Sequence, residues 1–262
     1  MLVCGIDIGA RSSEIVVLDG DAPDDFVYHI ADTGHDPVGT GRRIFDAILA
    51  ERGMRPDDVT YVVATGYGRS ALPFATQSIT EITCHARGVR HVVPDVRTIV
   101  DIGGQDSKVI VLGNDGSVVD FAMNDRCAAG TGRFLEMIAR TLDLRVSELA
   151  DVASQAMSPA EISSMCAVFG ETEVVGLLAK GTPRADVVAG VHNSVASRVM
   201  ALASRLTLAP PVAFTGGVAK NTAMAHALRT TLGLDLAIPP EPQITGALGA
   251  ALLAAERAAR PH

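Results

Sequence analysis

The chain has no tryptophan, aromatic residues make up only 4% of it, and its four cysteines stand apart at positions 4, 84, 127 and 166. So scattered, they fit neither a disulfide framework nor the CxxC spacing of a single-chain ferredoxin. No apolar run approaches about 18 residues, which removes a membrane-spanning helix. Lys and Arg number 22 against 30 Asp and Glu, and the net charge of −8 argues against a nucleic-acid partner. The opening "MLVCGIDIG" runs straight into strand-like sequence, with no basic segment and apolar stretch ahead of it. No signal peptide is therefore expected, and a cytoplasmic location is. Two common nucleotide motifs, GxxxxGK[ST] and GxGxxG, are also missing.

What remains is 262 residues, 48% hydrophobic, enough to bury a large core in one or two domains. The pattern is α/β. "LVCGIDIG" (2–9), "EIVVLDG" (14–20) and "VTYVVATGYG" (59–68) read as strands punctuated by glycine, and 96–124 reads as strand, glycine turn, strand, "NDG" turn, strand. Helices are expected over 184–206 and 244–259, with another strand over 211–221. "GIDIG" is echoed by "VDIGGQDSK", which sets Asp7 and Asp101 in corresponding places about 94 positions apart. The echo suggests two related halves: 1–96, joined by the closing segment 244–262, and 97–243, which carries two of the cysteines.

Three glycine turns share one grammar: "GIDIGARSS", "DIGGQDSK" and "FTGGVAKN". A lone example would read as a β-hairpin whose glycines permit positive φ. Three of them, each ending a strand, can bring backbone N–H groups to phosphate oxygens, with hydroxyls as further donors. Asp7 and Asp101 can hold a hydrated Mg²⁺ that bridges phosphates. Two phosphate turns and a third for the nucleoside make an ATP site between two lobes. In the second turn, Gln105 and Asp106 either orient the attacking water or are plain turn residues. Lys108 is either a phosphate contact or a solvated strand residue.

That triple resembles the actin, Hsp70 and sugar-kinase superfamily, whose fold is two ribonuclease-H-like lobes around a nucleotide cleft. Within it, "VDIGGQDSKVI", "NDRCAAGTGRFLE", "EITCHARGV", "CAVFGETEVVGLLAKG" and "FTGGVAKN" are similar to the activator component of 2-hydroxyacyl-CoA dehydratases. That family extends to the ATPase subunits of benzoyl-CoA reductases. The resemblance implies an ATPase that drives one electron into a dehydratase or reductase component, with reduced ferredoxin or flavodoxin as donor. It implies a [4Fe-4S] cluster shared by a homodimer and bound here by Cys127 and Cys166, along with ATP/ADP and Mg²⁺. Asp7, Asp101 and Gln105 are then the catalytic set. Nucleotide contacts are expected from Gly9, Arg11, Ser12 and Ser13 in the first turn, and from Gly103, Gly104 and Lys108 in the second. Gly130, Gly132 and Gln243 join them, with Gly216, Gly217, Lys220 and Asn221 at the third turn. The first turn departs from the family pattern: Ala10 and Arg11 replace a Ser-Thr pair, and Glu14 stands where a lysine is usual.

The residues themselves separate the cysteines. Cys4 lies inside the apolar first strand and Cys84 in a short helix, where thiols behave as small hydrophobes. Cys127 and Cys166 each precede a helix start, which favours thiolate. Two ligands per chain are half of what a cubane needs, and a symmetric dimer supplies the rest. Glu81 faces either the cleft or solvent, and His85 reads as a packed or exposed histidine. Two other classes stay open: a small-molecule kinase of the same superfamily with incidental cysteines, and a non-catalytic cluster-bearing nucleotide sensor.

Overall fold

The computed structural model describes residues 1–163 and 166–260; the last two positions of the expected segment 244–262 lie outside the described residues. The chain divides into two units, one of residues 1–96, 112–118 and 239–262, the other of 97–111 and 119–238.

In the first unit, β1 (Leu2–Ile8), β2 (Ser12–Asp19) and β3 (Ala22–Asp32) form an antiparallel meander, and β4 (Tyr61–Thr65) and β5 (Gln77–Ser78) continue from β1 in parallel. The sheet order is β3-β2-β1-β4-β5. Alternation along β1 sends Cys4, Ile6 and Ile8 to one face, under Ile44, Phe45 and Ile48 of α1 (Pro37–Glu51). Val3 on the other face packs with Leu248 and Ala251 of α8 (Thr245–Ala258) and with Cys84 of α2 (Glu81–Val92).

The second unit repeats this plan. Its sheet order is β10-β9-β6-β7-β8, from β6 (Thr98–Ile102), β7 (Ser107–Leu112), β8 (Val118–Asn124), β9 (Val212–Thr215) and β10 (Leu236–Ala237). Here β6 pairs antiparallel with β7 and parallel with β9, as β1 does with β2 and β4. Five helices follow: α3 (Gly132–Thr141), α4 (Leu149–Ala153), α5 (Ala167–Ala179), α6 (Arg184–Ala203) and α7 (Thr222–Leu232). Val100 and Ile102 of β6, Val109 of β7 and Phe214 of β9 share one core with Phe134 and Ile138 of α3 and Val191 and Val195 of α6. Among the described residues, no helix is long and apolar enough to cross a membrane.

The expected strands and helices are present, with further elements besides. The stretch 22–51 forms β3 and α1, which the glycine punctuation did not suggest. Helix α5 begins directly after Cys166, and no acid lies in its first turn. Glu171 and Glu173 instead accept hydrogen bonds from Thr141 and Ser163, which ties α5 to α3 and to the segment before Cys166.

Candidate functional site

Asp7 sits near the end of β1, 9% exposed, paired in register with Thr65 of β4 and Glu14 of β2. Its carboxylate lies against two glycines. A Cβ at Gly66, or at Gly246 in the first turn of α8, would run into the Asp7 oxygens, and Gly66 also has φ +81°. Beside Asp7, the Gln243 amide donates to Ser12 Oγ at 3.1 Å and to Glu14 Oε1 at 2.9 Å. Ser12 and Glu14 therefore share a face of β2. Ser13 points the other way, fully buried, with its hydroxyl 2.8 Å from Thr33 Oγ1, which itself donates to the Gly9 carbonyl. Arg11 is exposed. His85 is buried against Thr245 (3.3 Å), a packed histidine.

Asp101 occupies the corresponding place on β6, 2% exposed. Thr215 Oγ1 donates to its Oδ2 at 2.8 Å, and Lys108 Nζ stands 3.5 Å from its Oδ1 and 2.9 Å from Asp106 Oδ1. Lys108 is 3% exposed, so the solvated alternative is excluded. Gln105 lies exposed at the turn between β6 and β7. The N terminus of α3 reaches this turn: Gly132 N–H donates to the Gly103 carbonyl (2.9 Å) and Arg133 N–H to the Gly104 carbonyl (2.8 Å). Gly130 and Gly132, both buried, thus pack beside the second turn.

At the third turn Gly216 (φ +85°) lies so close to Ile102 that a Cβ there would meet the Ile102 carbonyl oxygen. Lys220 is exposed, and Asn221 caps α7 by accepting from Met224 N–H at 3.0 Å. The Asn221 amide also pairs with His192 Nε2 at 3.0 Å, while His192 Nδ1 bonds the Val188 carbonyl at 2.8 Å. His192 is buried, and desolvation lowers its pKa.

The cysteines divide as their surroundings require. Cys4 and Cys84 are buried; burial pushes the Cys84 thiol up to about 12 and that of Cys4 higher still. Cys127 and Cys166 are exposed and free. Cys127 is held by Asn124, which accepts from its N–H at 3.1 Å and donates to its carbonyl at 2.8 Å. Cys166 is the N-cap of α5. The terminus of α3 does not serve Cys127 in the same way: Thr131 is its N-cap, and its first N–H groups go to the glycine turn. Among the described residues, no three His, Cys, Asp or Glu gather as a metal site.

The model of the BadF/BadG/BcrA/BcrD ATPase family matches residues 4–254. The chain belongs to this ATPase family. A curated relative, the activator of lactoyl-CoA dehydratase of Anaerotignum propionicum, is 46% identical over 98% of this chain and 99% of its own. A solved structure in the same group, the activator of the 2-hydroxyisocaproyl-CoA dehydratase from Clostridium difficile with bound ADPNP, matches with TM-score 0.92 and 41% identity. That match covers 98% of this chain and 96% of the other. The family fold is the expected two-sheet ATPase architecture. A ROK family glucokinase from Streptomyces griseus also shares it at 15% identity and TM-score 0.56, covering 98% and 100% of the two chains.

Among the groups around these turns, sequence reasoning passed over Thr215, Thr33 and Arg198. Thr215 had a signal, a hydroxyl directly before the paired glycines of "FTGG". Arg198 had none, being one basic residue within a long helix.

Proposed function

We propose that this protein is the ATP-hydrolysing activator of a 2-hydroxyacyl-CoA dehydratase and passes one electron at a time to a separate dehydratase component. One connection carries the reading: the helix that follows Cys127 hydrogen-bonds through Gly132 and Arg133 to the Gly103–Gly104 turn. A turn suited to phosphate and a thiol suited to iron are thereby separated by only the Ala128–Gly130 turn and Thr131, the N-cap of α3.

Cys127 and Cys166 fit half of a cubane, with soft, exposed thiols in one unit and ligands left over for a second copy of the chain. A [4Fe-4S] cluster so held would supply one-electron chemistry, filled from reduced ferredoxin or flavodoxin. On this reading Asp7 and Asp101 would each act on Mg²⁺ or its waters, and Gln105 would orient the attacking water. Backbone N–H groups of the glycine turns and the Ser12 hydroxyl would contact phosphate, with Asn221 and Lys220 toward the nucleoside. ATP binding and hydrolysis that shift the second turn would shift α3 and Cys127 with it, which gates electron delivery. A kinase of the same fold would leave the two exposed thiols without a role.

Iron analysis under anaerobic conditions tests this. Wild type, Cys4→Ala and Cys84→Ala should hold about two irons per chain, one [4Fe-4S] per dimer. Cys127→Ser and Cys166→Ser should lose the iron and weaken the dimer on size-exclusion chromatography while still binding nucleotide. Four irons per monomer, or iron lost with Cys4 or Cys84, would point to a single-chain site and defeat the assignment.

A further inference from the structure

A guanidinium stands near both thiols. Arg198 of α6 lines a cavity of about 720 Å³ together with Cys127, Asn124 and Gly130. Burial lowers the Arg198 pKa while the charges of Cys127, Cys166 and Glu173 act the other way, so both sulfurs and one carboxylate lie within electrostatic reach of the guanidinium. The side chain is anchored on two sides. It donates to the Ser194 carbonyl at 2.8 Å and to the Ser194 hydroxyl, and its Cζ lies 5.8 Å from the centre of the Phe134 ring. Phe134, fully buried, belongs to α3, the helix after Cys127. The same ring also touches Gly170 of α5, the helix after Cys166, so closely that a Cβ there would sit 3.0 Å from it. The helices that follow the two thiols and the helix that carries the cation meet at one aromatic ring.

We propose that Arg198 sets the reduction potential of the iron–sulfur centre at Cys127 and Cys166 by holding a fixed positive charge beside both thiolates. The inference rests on the cluster assignment above and deepens it. Taking up one electron makes the centre more negative without forming or breaking a bond. A cation in a partly dry site stabilises the reduced state more than the oxidised one, which raises the potential. A guanidinium suits the task because it stays protonated throughout the physiological range. Neutralising it should leave the centre harder to reduce.

The test is an anaerobic redox titration, followed by electron paramagnetic resonance, of the holoprotein carrying Arg198→Met or Arg198→Lys. A tenfold change in a one-electron equilibrium corresponds to about 59 mV. Arg198→Met should lower the potential by at least that amount, and Arg198→Lys, which keeps the charge, by much less. If Arg198→Met fails to retain iron, Arg198→Gln takes its place with the same expected fall. An unchanged potential in the neutral variant, or an equal fall in the lysine variant, overturns the role of the charge. Wild-type protein without iron overturns the cluster assignment instead, and that result is read before any variant is made.

Discussion

Asp7 and Asp101 end the first strand of their sheets in the same way, and the same register places a cross-strand residue beside each. Around Asp101 that residue is Lys108, which also meets Asp106, while Thr215 donates to the second Asp101 carboxylate oxygen. Around Asp7 it is Glu14, which accepts from the Gln243 amide, and two glycines lie against the Asp7 carboxylate. One strand register therefore sets a lysine beside the acid in one hairpin and a second acid beside it in the other.

The comparison can be broken most sharply at Lys108. Replacing it with methionine leaves Asp101 buried without its cation, and removing one partner of a buried pair costs about 3–5 kcal/mol. Urea unfolding of Lys108→Met should show a loss of that size, and a loss below about 1 kcal/mol would mean that Asp101 does not depend on the lysine.

Activity should be less selective between the hairpins. Asp7→Ala and Asp101→Ala should each lower ATP hydrolysis by about a hundredfold or more, which corresponds to roughly 2.7 kcal/mol or above. The visible spectrum of the proposed iron centre should be unchanged in both, since that proposal makes neither aspartate a ligand. ATPase activity retained in either variant would remove that aspartate from the catalytic set.

Much of this was legible in the sequence, and what was not has physical reasons. Strands that end in Asp and Gly announced both hairpins, and the repeat between them foretold the shared topology. The departure at Glu14 was visible too, but that it stands opposite Asp7 as Lys108 stands opposite Asp101 emerged only from the strand register. "APDDFVYHIAD" hid β3 because an edge strand half-open to solvent carries acids and proline that lower its apparent β character. Helix α1 did carry a start signal, Asp36 before Pro37, with Asp36 accepting from Gly39 N–H at 2.9 Å. Cys127 and Cys166 stood out through their flanks, whereas the convergence of both on Arg198 depends on how α3, α5 and α6 cross.

The third turn extends the comparison with the smallest expected effect. It has no strand-ending acid; its strand ends in Thr215, and the residue that caps the next helix, Asn221, leans on a neutral histidine. The pKa of His192 is lowered by burial, against the opposing pull of its bonds to Val188 and Asn221. In the unfolded chain a histidine titrates near 6.5. As pH falls below that value, the unfolded state takes up a proton that the folded state resists. Stability therefore declines through the window between 6.5 and the lowered folded value, and levels off beneath it. Urea midpoints at pH 7.5 and 5.5 should show this decline in the wild type, and His192→Asn should show less of it, because asparagine does not titrate. A variant that loses as much stability as the wild type over that interval would mean that His192 accepts its proton in the folded protein, and that the cap at Asn221 does not require a neutral partner.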